Sequence, residues 1–205
     1  MEKILIIIWI VGCCGEFLVP FILSSRIKNY SHLRTVMSAI GSKENGIVGI
    51  LYSVWLILFG VIVVCISYSI RDFSSIGTYK AAIIILGVYG IGCVICGIFP
   101  VNNTKEMITV SAKIHGYVAA ITFLMLMFVP LLLKKALYAN GINGLAIGSN
   151  FVFVGSLVLF VLQILSEREQ FVGTILGNTG LWQRLYLGVI YVYISFVLYN
   201  ISTNI

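Results

Sequence analysis

Residues 47–70 read IVGILYSVWLILFGVIVVCISYSI, without one charged side chain. A helical run of roughly 20 apolar residues spans a bilayer core of about 30 Å. Five further stretches share this character, near residues 4–23, 79–99, 110–133, 142–165 and 181–202. In lipid only helices and closed barrels satisfy every backbone group, and these runs show no strand-like alternation. The sequence therefore predicts an all-α fold, an integral membrane bundle of six transmembrane helices, with residues 1–205 forming a single transmembrane domain.

Composition agrees: 60% of residues are hydrophobic and 10% charged, with a mean hydropathy of +1.08, against roughly 25% charged in ordinary soluble domains. A net charge of +6 raises the question of nucleic acid. The lysines and arginines, however, sit singly at span ends, where they meet lipid headgroups and phosphates. The expected partner is membrane lipid and no nucleic acid. Cys13, Cys14, Cys65, Cys93 and Cys96 all lie inside apolar spans and read as small apolar packing residues. Cys93 and Cys96 form a CxxC, but no second pair or nearby histidine completes a zinc site, so no metal and no cofactor is expected. Small residues recur at Gly12 and Gly15, at Gly87, Gly90, Gly92 and Gly97, and at Gly144, Gly148 and Ser149, as in closely packed membrane helices. Met1-Glu2-Lys3 and the following isoleucines begin like a secretory signal without a small-residue cleavage site, which reads as a retained first helix.

The charges also bear on topology. Lys3, Arg71, Lys80, Lys134 and Lys135 occupy short connections on one face. Arg26, Lys28, Arg34, Lys43, Lys105, Lys113, Arg168 and Arg184 lie in longer ones on the other, offset by Glu44, Glu106, Glu167 and Glu169. The density of short-loop positive charge places both termini in the cytoplasm, in a prokaryotic cell membrane. Between the first two spans, Ile27, Tyr30, Leu33, Met37 and Ile40 recur at three- and four-residue steps. That spacing predicts a short amphipathic segment, helical and lying in the interface, with a plain surface connection as the alternative.

A charge at membrane depth costs roughly 2.5–3.5 kcal/mol on insertion scales, so Glu16 in the first span should face the bundle interior and have a partner or be protonated. Pro20, four residues on, cannot donate to the Glu16 carbonyl, which favours a kink and a free acceptor. Arg184 opens the last span, where it opposes the helix dipole and needs compensation. A Glu16–Arg184 pair would resolve both costs; Glu167 and Glu169 are rival partners for the arginine, and its planar fork also suits a phosphate headgroup. His115 begins the fourth span on the same face, and His32 lies in the amphipathic segment with Ser31 and Ser38. These residues form a candidate acid–base or polar binding site, although a hydrogen-bonded structural histidine is the commoner outcome. With two histidines in the chain, a transmembrane di-haem relay is excluded. Gln163 is expected to pack, with a hydrogen bond across helices as the alternative, and the glycine-rich stretch from Phe171 to Gly180 to form a loop dipping towards the interface.

Three stretches together resemble the six-span membrane family known as domain of unknown function 998. Tyr30-Ser31-His32-Leu33 through Ser38-Ala39-Ile40-Gly41 is similar to its Tyr-x-His motif followed by Ser-Glu-Leu-Gly. Gly97-Ile98-Phe99-Pro100, then His115-Gly116, resembles its Gly-x-Phe-Pro turn and following histidine. Gly180-Leu181-Trp182-Gln183-Arg184-Leu185 resembles its Gly-Leu-x-Gln-Arg-Leu helix start. Ala39 stands where that pattern carries a glutamate, so any chemistry tied to the acid is not implied here. The resemblance implies the six-helix architecture and one clustered site, and no activity.

The function expected is binding or sensing of a lipid or amphipathic small molecule, through a polar site near the outer leaflet built from Glu16, His115, Arg184, His32 and Ser38. The alternatives are an intramembrane enzyme acting on a lipid or isoprenoid, against which no nucleophile motif or paired carboxylates appear, and a small proton-coupled transporter. The transporter reading lacks the usual internal repeat.

Overall fold

The computed structural model describes residues 2–102 and 107–203. Lys105 and Glu106, part of the charge pattern above, lie outside the described residues. Seven α-helices follow one another: α1 Glu2–Ser24, α2 Ile47–Ser69, α3 Gly77–Ile98, α4 Val110–Leu126, α5 Val129–Ala139, α6 Asn143–Ser166 and α7 Thr179–Thr203. No strand occurs among the described residues. Six stretches are long and apolar enough to cross a membrane, because α4 and α5 together form one of them, Val110–Ala139.

The fourth span is therefore divided. Pro130 lies in the first turn of α5, where its missing N–H would have had no intrahelical partner in any case. Its ring cannot follow on from a continuous α4, so the chain closes α4 at Met127 and restarts after Phe128. Pro20 is accommodated differently, inside a single α1.

Packing starts from α2 and α3, which are joined by a short connection and lie side by side. Their backbones meet at Gly60 and Gly90, where a methyl on Gly90 would stand 2.7 Å from the Gly60 carbonyl oxygen. Around that contact α1 packs on α2 and α7, α4 packs on α3, and α6 packs on α5 and α7. The small residues of α6 behave otherwise than expected: Gly144 and Gly148 face open space and touch no neighbouring helix, while Ser149 is buried against Tyr193 Oη at 2.7 Å. The outer face of α6, with Phe151, Val154 and Val158, is exposed to what would be lipid.

The segment between α1 and α2 does not form an α-helix. It runs through turns and two short 3-10 helices, Met37–Gly41 and Lys43–Asn45, and folds onto the bundle. Met37 and Ile40 are fully buried while Leu33 is exposed, so the apolar spacing is satisfied by burial against α2 and α1 rather than by immersion in the interface. The stretch after α6 is a 3-10 turn, Glu169–Phe171, followed by hydrogen-bonded turns to Asn178.

The Gly60–Gly90 approach leads to the first prediction. Gly60→Ala or Gly90→Ala must push two helix backbones apart, an overpacking cost of about 1–3 kcal/mol. Thermal unfolding of the purified protein in detergent should show a lowered midpoint for either variant. Gly148→Ala, with open space around it, should match or exceed the parent through the helix preference of alanine, worth up to about 1 kcal/mol.

Candidate functional site

The start of α7 is a docking strip for the segment that follows α1. Gly180 lies directly against the carbonyls of His32 and Thr35, with no room for a side chain. Leu181 N–H donates to the Leu33 carbonyl at 2.9 Å. Gln183 Oε1 accepts the Met37 N–H at 2.7 Å. Arg184 completes the strip: Nη1 donates to the carbonyls of His32 at 2.6 Å, Gly180 at 2.8 Å and Thr35 at 3.2 Å, and Nη2 donates to Tyr30 Oη at 2.8 Å. A planar guanidinium suits this task, because its donors are fixed in a fork and several acceptors can be gathered at once.

The expected Glu16–Arg184 pair is consequently absent. Arg184 spends its donors on carbonyls and a phenol, and it makes no ion pair with Glu167 or Glu169 either. Glu16 is buried, 3% exposed, and accepts one hydrogen bond, from Trp55 Nε1 at 3.0 Å. Gly15 makes this possible, since a side chain there would overlap the Trp55 ring.

Glu16 lines a small internal chamber of about 50 Å³. Tyr52, 3% exposed, reaches it from α2, His115, 5% exposed, from α4, and Gln183, 7% exposed, from α7; Ser38 closes it from the docked segment. His115 is oriented by α3: Nδ1 lies 3.0 Å from the carbonyls of both Cys96 and Phe99. Both partners only accept, so Nδ1 carries the hydrogen and Nε2 is left as an acceptor. The hydroxyls of Tyr52 and Ser38, the second oxygen of Glu16, Gln183 Nε2 and His115 Nε2 have no hydrogen-bond partner among the described residues.

The chamber adjoins a cleft of about 710 Å³, with which it shares Ser38, His115, Ala119, Phe123 and Gln183 as walls. The cleft separates α4 from α6. Ala112, Gly116, Ala119 and Ala120 present a smooth face on one side; Phe160, Gln163, Ile164 and Glu167 line the other, at helical spacing. Gln163 packs in the cleft wall, with its Oε1 buried without a partner.

Of the residues singled out in the sequence, the structure thus brings Glu16, His115 and Ser38 to one chamber. Arg184 and His32 belong to the docking strip behind it. The His32 ring stacks on Phe21 and meets Tyr30 edge-on, with Nε2 3.1 Å from Ser24 Oγ. Burial first, and the Arg184 charge second, hold its pKa below the ordinary histidine value. Ala39, where the resembled motif has an acid, lines the cleft with a methyl group. Sequence reasoning missed Tyr52, Trp55 and Gln183. Tyr52 and Trp55 stand three apart in α2, one polar handle above the other inside an apolar run, and that spacing was the available signal. Among the described residues, no three histidine, cysteine or acidic side chains gather as metal ligands.

A family model described as "Protein of unknown function (DUF998)" matches residues 10–199. No curated protein and no solved structure matches the chain.

Two outcomes check the docking strip. Arg184→Ala removes hydrogen bonds from a charged donor, worth about 1.5–3 kcal/mol. Amide exchange over residues 30–41 should accelerate strongly, while exchange in α2 and α3 stays unchanged; Arg184→Lys should fall between. The depressed pKa of His32 sets a pH window. Above about 6.5, the free imidazole value, the ring is neutral both docked and undocked, and pH has no effect. Below it the undocked segment takes the proton more readily, so docking weakens as pH falls. Exchange over residues 30–41, corrected for intrinsic rates, should rise from pH 7 to pH 5 in the parent and stay flat in His32→Gln.

Proposed function

The chain belongs to the DUF998 family, and for this multi-pass membrane protein we propose binding of a lipid or amphipathic small molecule, with the apolar chain in the α4–α6 cleft and the head in the chamber. The observation that carries the reading is that the two spaces adjoin, with Ser38, His115 and Gln183 lining both. An apolar chain alone needs no polar end, and a polar solute alone needs no lipid-facing cleft; an amphiphile uses both. The cleft volume falls within the roughly 300–1,000 Å³ of small-molecule sites, and its lining mixes small and aromatic residues with a few polar ones as such sites do. With the short-loop charges Arg71, Lys80, Lys134 and Lys135 in the cytoplasm of a prokaryotic cell, the cleft opens to the outer leaflet.

A second reading, an intramembrane enzyme, is favoured by one observation: His115 offers an unpartnered Nε2 inside the chamber, the form a general base requires. Replacing it by glutamine would then abolish turnover.

The binding reading is checked by native mass spectrometry of the full chain released from gentle detergent. The parent should retain a stoichiometric amphiphile enriched over bulk membrane. Ala120 is exposed in the cleft, so Ala120→Trp should fill the space and reduce retention at least tenfold without lowering the thermal midpoint. Equal retention by the variant, or no enrichment in the parent, counts against the proposal.

A further inference from the structure

Resting on that binding reading, we propose that the chamber selects an uncharged hydroxyl head, so that the ligand is a long-chain alcohol rather than a phospholipid or an amine. Three features of the chamber bear on this choice: two argue against a phosphate head, and the third against phosphate and ammonium alike.

The first is size. A buried water needs about 10–15 Å³ of such space, so a chamber of about 50 Å³ takes a head equivalent to roughly four waters. A phosphate brings a phosphorus and four oxygens with a strongly held hydration shell, and does not fit without leaving that shell behind.

The second is charge. No lysine or arginine lines the chamber, and its one ionisable acid is Glu16. Arg184 is committed to the carbonyls of His32, Thr35 and Gly180 and to Tyr30 Oη, and Arg34 lines the adjoining cleft rather than the chamber. An anionic head would be buried beside a carboxyl group with nothing to pair it, a costly arrangement in a water-poor site.

The third is the balance of donors and acceptors. His115 Nε2 can only accept, since Nδ1 holds the ring hydrogen against two carbonyls. Gln183 Nε2 can only donate, its Oε1 being taken by the Met37 N–H. Tyr52 and Ser38 can do either. A fully ionised phosphate only accepts and would leave His115 Nε2 unsatisfied; an ammonium only donates and would leave the Gln183 amide unsatisfied. A hydroxyl donates one hydrogen bond and accepts others, and so can serve both, with His115 receiving its hydrogen and Gln183 or Tyr52 donating to its oxygen.

The experiment compares three probes that share one tail: 1-hexadecanol, hexadecyl phosphate and hexadecylamine, titrated against the delipidated full chain in detergent and read by native mass spectrometry. Hexadecanol should bind at least tenfold more tightly than either charged probe, and Tyr52→Phe should narrow that margin several-fold. Binding of the phosphate or the amine as tight as that of the alcohol overturns the head assignment and leaves the cleft reading intact. Failure of all three to bind, or binding that survives Ala120→Trp unchanged, overturns the cleft reading together with it. Because the main comparison uses the parent protein, it stands even where Tyr52→Phe fails to fold.

Discussion

The guanidinium of Arg184 is the contact on which the architecture of the site depends. The segment between α1 and α2 has no regular helix to satisfy its own carbonyls, and near a membrane there is little water to do it instead. Arg184 supplies donors to two of those carbonyls and ties in Tyr30, while Leu181 and Gln183 of the same helix take up Leu33 and Met37. Four consecutive turns of irregular backbone are thereby fixed to the start of one transmembrane helix. Ser38, the wall between chamber and cleft, has its position only because of that docking.

Seen from the membrane, the polar groups fall into two sets. In the docking strip the two Nη groups of Arg184, Gln183 Oε1 and the backbone account for one another. The polar groups of the chamber do not. Glu16, Tyr52, Gln183 and His115 are nine-tenths or more buried, and each keeps an atom without a protein partner. In lipid such groups are costly, and a fold that tolerates several of them together, on four different elements, is one in which something else satisfies them. The contrast between the bonded strip and the unsatisfied chamber, a few residues apart on α7, separates the structural role of Arg184 from the binding role proposed for Gln183.

Apolar run lengths made the six crossings legible, because bilayer thickness acts directly on the length of a helix. The division of the fourth crossing was also written in the chain, at Pro130, but a run of hydropathy averages over it. The site was legible in part. Glu16 stood out because a carboxyl in an apolar span is rare, and His115 and Ser38 followed from their common face. The Glu16–Arg184 pair was a reasonable inference from charge alone, and it failed because charge is not the only thing that satisfies an arginine: three carbonyls do so without any acid. Tyr52 and Trp55 were hidden because aromatic residues in a span ordinarily read as lipid-facing or packing groups. Their hydroxyl and indole N–H become informative only once Gly15 is seen to let the Trp55 ring reach Glu16. The resemblance to the family pattern gains a physical basis as well. The Tyr30–Gly41 and Gly180–Leu185 motifs are the two halves of one interface, and the Gly97–Pro100 turn supplies the Phe99 carbonyl that orients His115.

The cleft itself follows from where the chain is broken. A continuous fourth helix packed on α3 along its whole length would have one direction, and α6 could lie beside it throughout. Ending α4 at Leu126 and restarting at Val129 lets α5 take its own course, packing on α3 and α6. It thereby closes the space at that end while α4 stays with α3. The opening left between α4 and α6 is then lined by the face of α4 that carries Ala112, Gly116, Ala119 and Ala120, residues too small to fill it. Larger side chains at those positions would have bridged the gap and sealed the chamber from the lipid. Pro130 within the fourth crossing and a stripe of small residues on the helix before it accompany the lateral opening, and the buried polar chamber adjoins it.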